Sequence, residues 1–156
     1  MKGRIDLAKA LPKATQALYP ATKVVNSSGL DHRMLELVKL RTSQLNGCAY
    51  CIDMHTKDAR AAGETEQRLY LLNAWRETPL YTERERAALE WTEAVTRVGD
   101  THVPDHVHQL VKAQFNDDEL VALTMGIVVI NGWNRLAVSF RAPAGTYQPK
   151  PMATQS

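Results

Sequence analysis

Residues 120–140 form an almost continuous apolar run, and its length leaves two ways to cover it: a membrane, or the interior of a helical bundle. The membrane fails on particular residues. Asn131, Asn134 and Arg135 would sit in hydrocarbon, and Gly126 and Gly132 interrupt the segment. The run is therefore predicted to be a long central helix of a bundle, or one that packs at a subunit interface, with no membrane span. Asn116-Asp117-Asp118-Glu119 in front of it places a glutamate three residues after a capping asparagine, which signals a helix start.

The rest of the chain supplies helical partners. Sustained apolar–polar alternation is missing, and no Asn-Gly turn separates two β-branched runs. Residues 32–45 carry Met34, Leu35, Leu37, Val38, Leu40 and Leu45, which cover much of a helix circumference and predict burial. Asn46-Gly47 ends that pattern, and a helix from about Cys48 to Ala62 follows with Gly63 as its stop. Residues 65–75 predict a further helix. Thr82-Glu83-Arg84-Glu85 is a capping box opening a helix through Leu89, Trp91, Val95 and Val98, and Pro104 begins one through Val107, Leu110 and Val111. The expectation is an all-α, single-domain bundle of about six or seven helices over residues 1–142. Residues 143–156 hold three prolines and few apolar side chains, and are expected to form an extended or disordered tail.

With 156 residues, 44% of them hydrophobic, the chain can bury one real core. Its 19 Lys and Arg are interleaved with 17 Asp and Glu, so the basic block of a nucleic-acid binder is absent. Residues 1–6 lack the apolar stretch of an export signal, which points to the cytoplasm. Two cysteines three positions apart make a poor structural bridge, because closing so small a loop removes little unfolded-state entropy. A reactive role suits them better.

Cys48-Ala49-Tyr50-Cys51 stands at the predicted helix start, with His55 one turn further on. At 100° per residue Cys48 and Cys51 are about 60° apart around the axis and Cys51 and His55 about 40°, so all three share one face. The helix N-terminus and a neighbouring imidazolium both favour a thiolate. Glu36 lies among Leu35, Leu37 and Val38, where a carboxylate either pairs or shifts its pKa upward. It can pair with Lys39 at i+3 or orient His55, and residue spacing leaves both open. Cys48, Cys51 and His55 are also acceptable zinc ligands, but structural zinc wants four and no second CxxC exists. Haem attachment needs His where Ile52 stands. His102, His106 and His108, near Asp100 and Asp105, read as a polar loop entering a helix.

The pattern Glu36, eleven residues, Cys48-x-x-Cys51-x-x-x-His55 resembles the active site of the alkyl hydroperoxidase D family, within the carboxymuconolactone decarboxylase-like superfamily. The runs Asn46-Gly47-Cys48-Ala49-Tyr50-Cys51-Ile52-Asp53-Met54-His55 and Ile130-Asn131-Gly132-Trp133-Asn134-Arg135 are similar to that family's, and the likeness spans roughly residues 20 to 140. The resemblance implies an all-helical fold that assembles as homotrimers or hexamers. It also implies a thiol-dependent peroxidase with no bound cofactor or metal, re-reduced by a dithiol such as a lipoyl group. By analogy Cys51 attacks the peroxide, Cys48 resolves the sulfenic acid as a disulfide, and Glu36 and His55 relay protons. Position 50 departs from the pattern: Tyr50 stands where the family often has a second His. Tyr50, Asn131, Trp133 and Asn134 are candidate pocket residues. On the residues alone Cys48, nearer the helix N-terminus, is the better candidate for thiol–disulfide exchange. Two other readings are a redox-sensing assembly without turnover and a decarboxylase-like enzyme; relatives of the latter kind generally lack the cysteine pair.

Overall fold

The computed structural model describes residues 3–149, and among these every regular element is helical. The chain opens with α1 (Leu7–Ala10), α2 (Pro12–Gln16) and α3 (Leu18–Asn26). Next come α4 (His32–Leu45), α5 (Ala49–Ala61) and α6 (Glu66–Leu71), the last running into a 3-10 turn over Leu72–Glu77. It continues through α7 (Glu83–Thr96), α8 (Val98–Thr101), α9 (Asp105–Lys112) and α10 (Asp117–Phe140).

Eight of these helices have five residues or more, not the six or seven that the sequence pattern predicts, and α1 and α8 add single turns. The excess lies in the first 26 residues. Nothing in α2 is buried and only Val25 of α3 is, so no periodic apolar stripe announces them. The helix predicted over residues 65–75 also divides, because Ala74 leaves helical geometry (φ −116°, ψ 27°).

α10 is the hub, about 36 Å long at 1.5 Å per residue, and packs on α3, α4, α5, α7 and α9. Its apolar run is covered by protein: Leu123, Ile127 and Ile130 are buried, and so is the amide of Asn134. Gly126 has a packing reason, since a Cβ there would lie 3.3 Å from Val25 Cγ1 of α3. The predicted capping box of Thr82 with Glu85 forms on α7, and the predicted helix-start signal ahead of α10 is also a capping box, Asn116 with Glu119. α4 is buried around most of its circumference, as its composition predicts. One side joins the core of α3, α7, α9 and α10 through Leu35 and Val38, and the other meets α5 to α7 through Leu37 and Leu40. That central placement brings Glu36 inside the protein.

Residues 143–149 have no regular secondary structure and lie along α5. The remainder of the expected tail, 150–156, falls outside the described residues.

Candidate active site

The turn between α4 and α5 sets the position of the cysteines. Gly47 takes φ +64°, in the left-handed region that favours glycine. Its N–H donates to Gln44 O (3.2 Å) and the Cys48 N–H to Ser43 O (3.0 Å), a Schellman arrangement closing α4. This delivers Cys48 to the N-cap of α5, where its Sγ accepts the Cys51 N–H at 3.3 Å. A sulfur thus does what a Ser or Asp oxygen does at most helix starts. Both thiols are free and buried, 1% and 2% exposed, against Ile130 and Ala137 of α10.

The two sulfurs divide their protons unequally. The Cys51 S–H and the backbone N–H groups of Cys51 and Tyr50 donate to Cys48, and against the opposing effect of burial they bring its thiol down to about 7. Cys51 moves the other way, because its proton is held in that hydrogen bond, burial penalises its charge and the Cys48 thiolate repels a second one. A hydrogen bond with the Asn134 side chain opposes this at Cys51.

Glu36 serves two partners at once. The Nδ1–H of His55 donates to Oε2 at 2.7 Å, and Lys39 Nζ donates to Oε1 at 2.8 Å, so both pairings that the spacing leaves open are made. Lys39 is also held by Asn26 Oδ1 at 3.1 Å. Burial pushes the Glu36 carboxyl up, but the hydrogen bonds and charges of His55 and Lys39 more than reverse this and hold it at about 2. Since an ionised carboxylate only accepts, Nδ1 carries the ring hydrogen. The buried Nε2 then presents a lone pair and has no hydrogen-bond partner among the described residues.

His55, Cys51, Tyr50 and Lys39 line one cavity of about 720 Å³. Its apolar wall comes from Ile130, Trp133, Leu136 and Phe140 of α10, and from Ile5 and Leu7 of the N-terminal segment. Tyr50 and Trp133 line this cavity, and burial pushes the Tyr50 phenol up. Asn131 and Asn134 sit behind the wall. Asn46 Nδ2 donates to Oδ1 of both (3.0 and 2.9 Å), and Asn134 Nδ2 donates to Ser43 Oγ at 3.1 Å, pinning the cysteine turn to α10. Asn26 and Tyr147 reach the site from segments without motif. Asp58, at i+3 from His55, carries a helical-spacing signal that sequence reading could have used.

Ligand atoms of Glu36, His55 and Asp58 gather within 4.8 Å of one another, the single such group among the described residues. It contains neither cysteine, so the zinc set that the sequence allows is not assembled. None of His102, His106 and His108 belongs to it.

A helical bundle that buries a cysteine pair beside a carboxylate-bound imidazole defines a class of thiol-bearing proteins. Comparison with known proteins gives the family. The pattern of the carboxymuconolactone decarboxylase family matches residues 9–94, more than half of the chain, and the chain belongs to that family. It is 40% identical to the uncharacterised protein YdfG of Bacillus subtilis, over 89% of this chain and 95% of that one. The crystal structure of an Agrobacterium tumefaciens protein of unknown function, linked to antioxidant defence and AhpD, superposes with a TM-score of 0.90. That chain is 47% identical, and the match covers 94% of this chain and 100% of that one. A shorter stretch of 46 residues is 39% identical to the alkyl hydroperoxide reductase AhpD of Bradyrhizobium diazoefficiens, covering 30% of this chain and 25% of that one. The protein is thus AhpD-like within its family, with an all-helical fold.

Proposed function

We propose that the protein is a soluble, cytoplasmic thiol-dependent peroxidase that cycles Cys48 and Cys51 between dithiol and disulfide. The observation that carries this reading is the buried His55: Nδ1 is fixed on Glu36, Nε2 is unpaired, and the ring shares a cavity with Cys51. An oriented imidazole beside a thiol is the arrangement general acid–base catalysis needs.

Cys51 is the attacking sulfur because it lines the cavity. In the resting pair its proton lies toward the Cys48 thiolate, and Nε2 of His55 takes that proton, so that the Cys51 S–H bond breaks, an N–H bond forms and the Cys51 thiolate is released. The Cys51 thiolate then attacks the outer peroxide oxygen. The O–O bond breaks, Cys51 becomes a sulfenic acid, and His55 delivers a proton to the departing alkoxide or hydroxide. The Cys48 thiolate attacks the sulfenic sulfur, the S–O bond breaks, the departing hydroxide takes a proton from solvent and leaves as water, and the disulfide forms. An external dithiol of the lipoyl type returns two electrons and two protons.

A trimer or hexamer is the accompanying proposal. Val121, Met125 and Val128 form an exposed apolar stripe along α10, 67%, 43% and 54% exposed, of the kind a subunit contact covers. The test is peroxide consumption with dihydrolipoamide by the wild type, Cys51→Ser and Cys48→Ser. Turnover lost in both variants supports the cycle. A single stoichiometric oxidation by the wild type supports a redox sensor instead, and lactone decarboxylation without peroxide would support the decarboxylase reading.

A further inference from the structure

The residues after α10 join the site from outside the motif. Three hydrogen bonds fasten them to the helix that carries Cys51 and His55. Gly145 N–H donates to Asp53 Oδ2 at 3.0 Å, Lys57 Nζ donates to Tyr147 O at 2.9 Å, and Tyr147 Oη donates to Asp58 Oδ1 at 2.8 Å. Lys57 also pairs with Asp53 at 2.9 Å, so the attachment is a small network. A carboxylate oxygen of Asp58 lies within 4.8 Å of a ring nitrogen of His55 and of Glu36.

We propose that Asp58 and Tyr147 form a second, tail-borne arm of the proton relay. Asp58 faces the imidazole as a second carboxylate, and the Tyr147 hydroxyl tempers its charge through the hydrogen bond to Oδ1. Both are positioning residues, and the site is complete only with residues 143–149 docked on α5. The proposal rests on the thiol-peroxidase reading for what the relay is used for.

The charges around the ring explain why a second carboxylate matters. From α4 come Glu36 and Lys39, and these largely neutralise each other. From its own helix come Tyr50, Cys51 and Asp58, with Cys48 at the cap. Arg4 and Asp6 of the N-terminal segment and Tyr19 of α3 border the same cavity. Asp58 is thus the nearby carboxylate that no lysine or arginine cancels in a described contact. When His55 Nε2 takes the thiol proton, an S–H bond breaks, an N–H bond forms and an imidazolium appears. A fixed negative charge a few ångströms away favours that cation without moving, which is the economy of a preorganised site. The Tyr147 phenol is pushed well above its ordinary range by burial and by the Asp58 carboxylate, so it remains a donor throughout the working pH.

The experiment follows the His55 ring resonances against pH in the full-length wild type, Asp58→Asn, Tyr147→Phe and Asp53→Asn. Asp58→Asn removes the facing charge, and the titration midpoint falls by about one unit, the scale of one charge at this range in partly solvated surroundings. Tyr147→Phe leaves the Asp58 charge undrained by its hydrogen bond, and the midpoint rises. Asp53→Asn loosens the segment without touching Asp58 and moves the midpoint in the same sense by less. Opposite shifts for Asp58→Asn and Tyr147→Phe, matched in the acid limb of the turnover profile, support the proposal. Unchanged midpoints with only a lowered melting temperature, or shifts of the same sign, overturn it. If Tyr147→Phe does not fold, Asp58→Asn decides alone: a fall supports, and no change or a rise overturns. The ring titration needs no turnover, so a wild type inactive on peroxide sinks the peroxidase reading without deciding this one.

Discussion

Replacing Cys51 by alanine and by serine separates the hydrogen bond at the cysteine pair from the helix that caps it. The S–H of Cys51 is the largest influence on Cys48, whose thiol lies at about 7 against an ordinary 9.0. Cys51→Ala keeps the backbone N–H at that position and removes only the side-chain donor, while burial continues to oppose the charge. The Cys48 midpoint then climbs by about two units, equivalent to about 2.7 kcal/mol. At pH 7 its thiolate fraction falls from about one half to about one per cent. Cys51→Ser retains an O–H donor and keeps most of the depression. The ultraviolet absorbance of the thiolate, followed against pH, reads this without a reagent entering the buried site. Superimposable titrations for the alanine and serine variants would refute the assignment of the shift to the Cys51 proton. The helix start and backbone donors would then carry it alone.

Three further outcomes are expected. Glu36 is held at about 2 rather than its ordinary 4.5, so its contribution is complete above about pH 4.5 and drains away as the pH falls toward 2; the shift corresponds to about 3 kcal/mol. Urea unfolding of the wild type should therefore weaken over that interval more steeply than that of Glu36→Gln, and parallel curves would sink the argument. Leu123→Ala empties a fully buried position on α10 and should cost about 2 to 5 kcal/mol by the same assay, where a loss under 1 would mean the core collapses onto the gap. Met125→Lys with Val128→Glu should lower the oligomeric state measured by light scattering; an unchanged mass would move the subunit contact off α10.

How much of this could be read from the sequence depended on how local the deciding interactions are. The cysteine helix was legible because its start, its face and its stop are all short-range: Asn46-Gly47 reverses the chain, i+3 and i+4 spacing aligns three side chains, and Gly63 takes φ +89° just past the end. α4 and α10 declared themselves through apolar periodicity. The N-terminal helices did not, because their contribution to the core is small and their outer faces stay wet. Glu36 posed a choice between two partners that the fold does not require, since a carboxylate has two oxygens and each found one. Asn131 and Asn134 looked like pocket residues from their place beside Trp133. Helical rotation turns them toward the Asn46 turn instead, and no spacing rule states what that turn would be. Tyr147 stands 89 positions from Asp58 in a proline-containing stretch, so only the folded chain brings them together.

The unequal division of protons at the cysteine pair also sets how its reduction potential responds to acidity. Below about pH 7 both sulfurs of the reduced pair are thiols, and reducing the disulfide by two electrons takes up two protons, so the potential falls by about 59 mV per pH unit as the pH rises. Above that point Cys48 is already ionised while Cys51 keeps its proton, only one proton is consumed, and the slope halves to about 30 mV. The pair therefore stays easier to reduce, as the surroundings turn alkaline, than a disulfide whose two thiols both ionise late. The bend in that curve should sit where the capping sulfur of α5 loses its hydrogen.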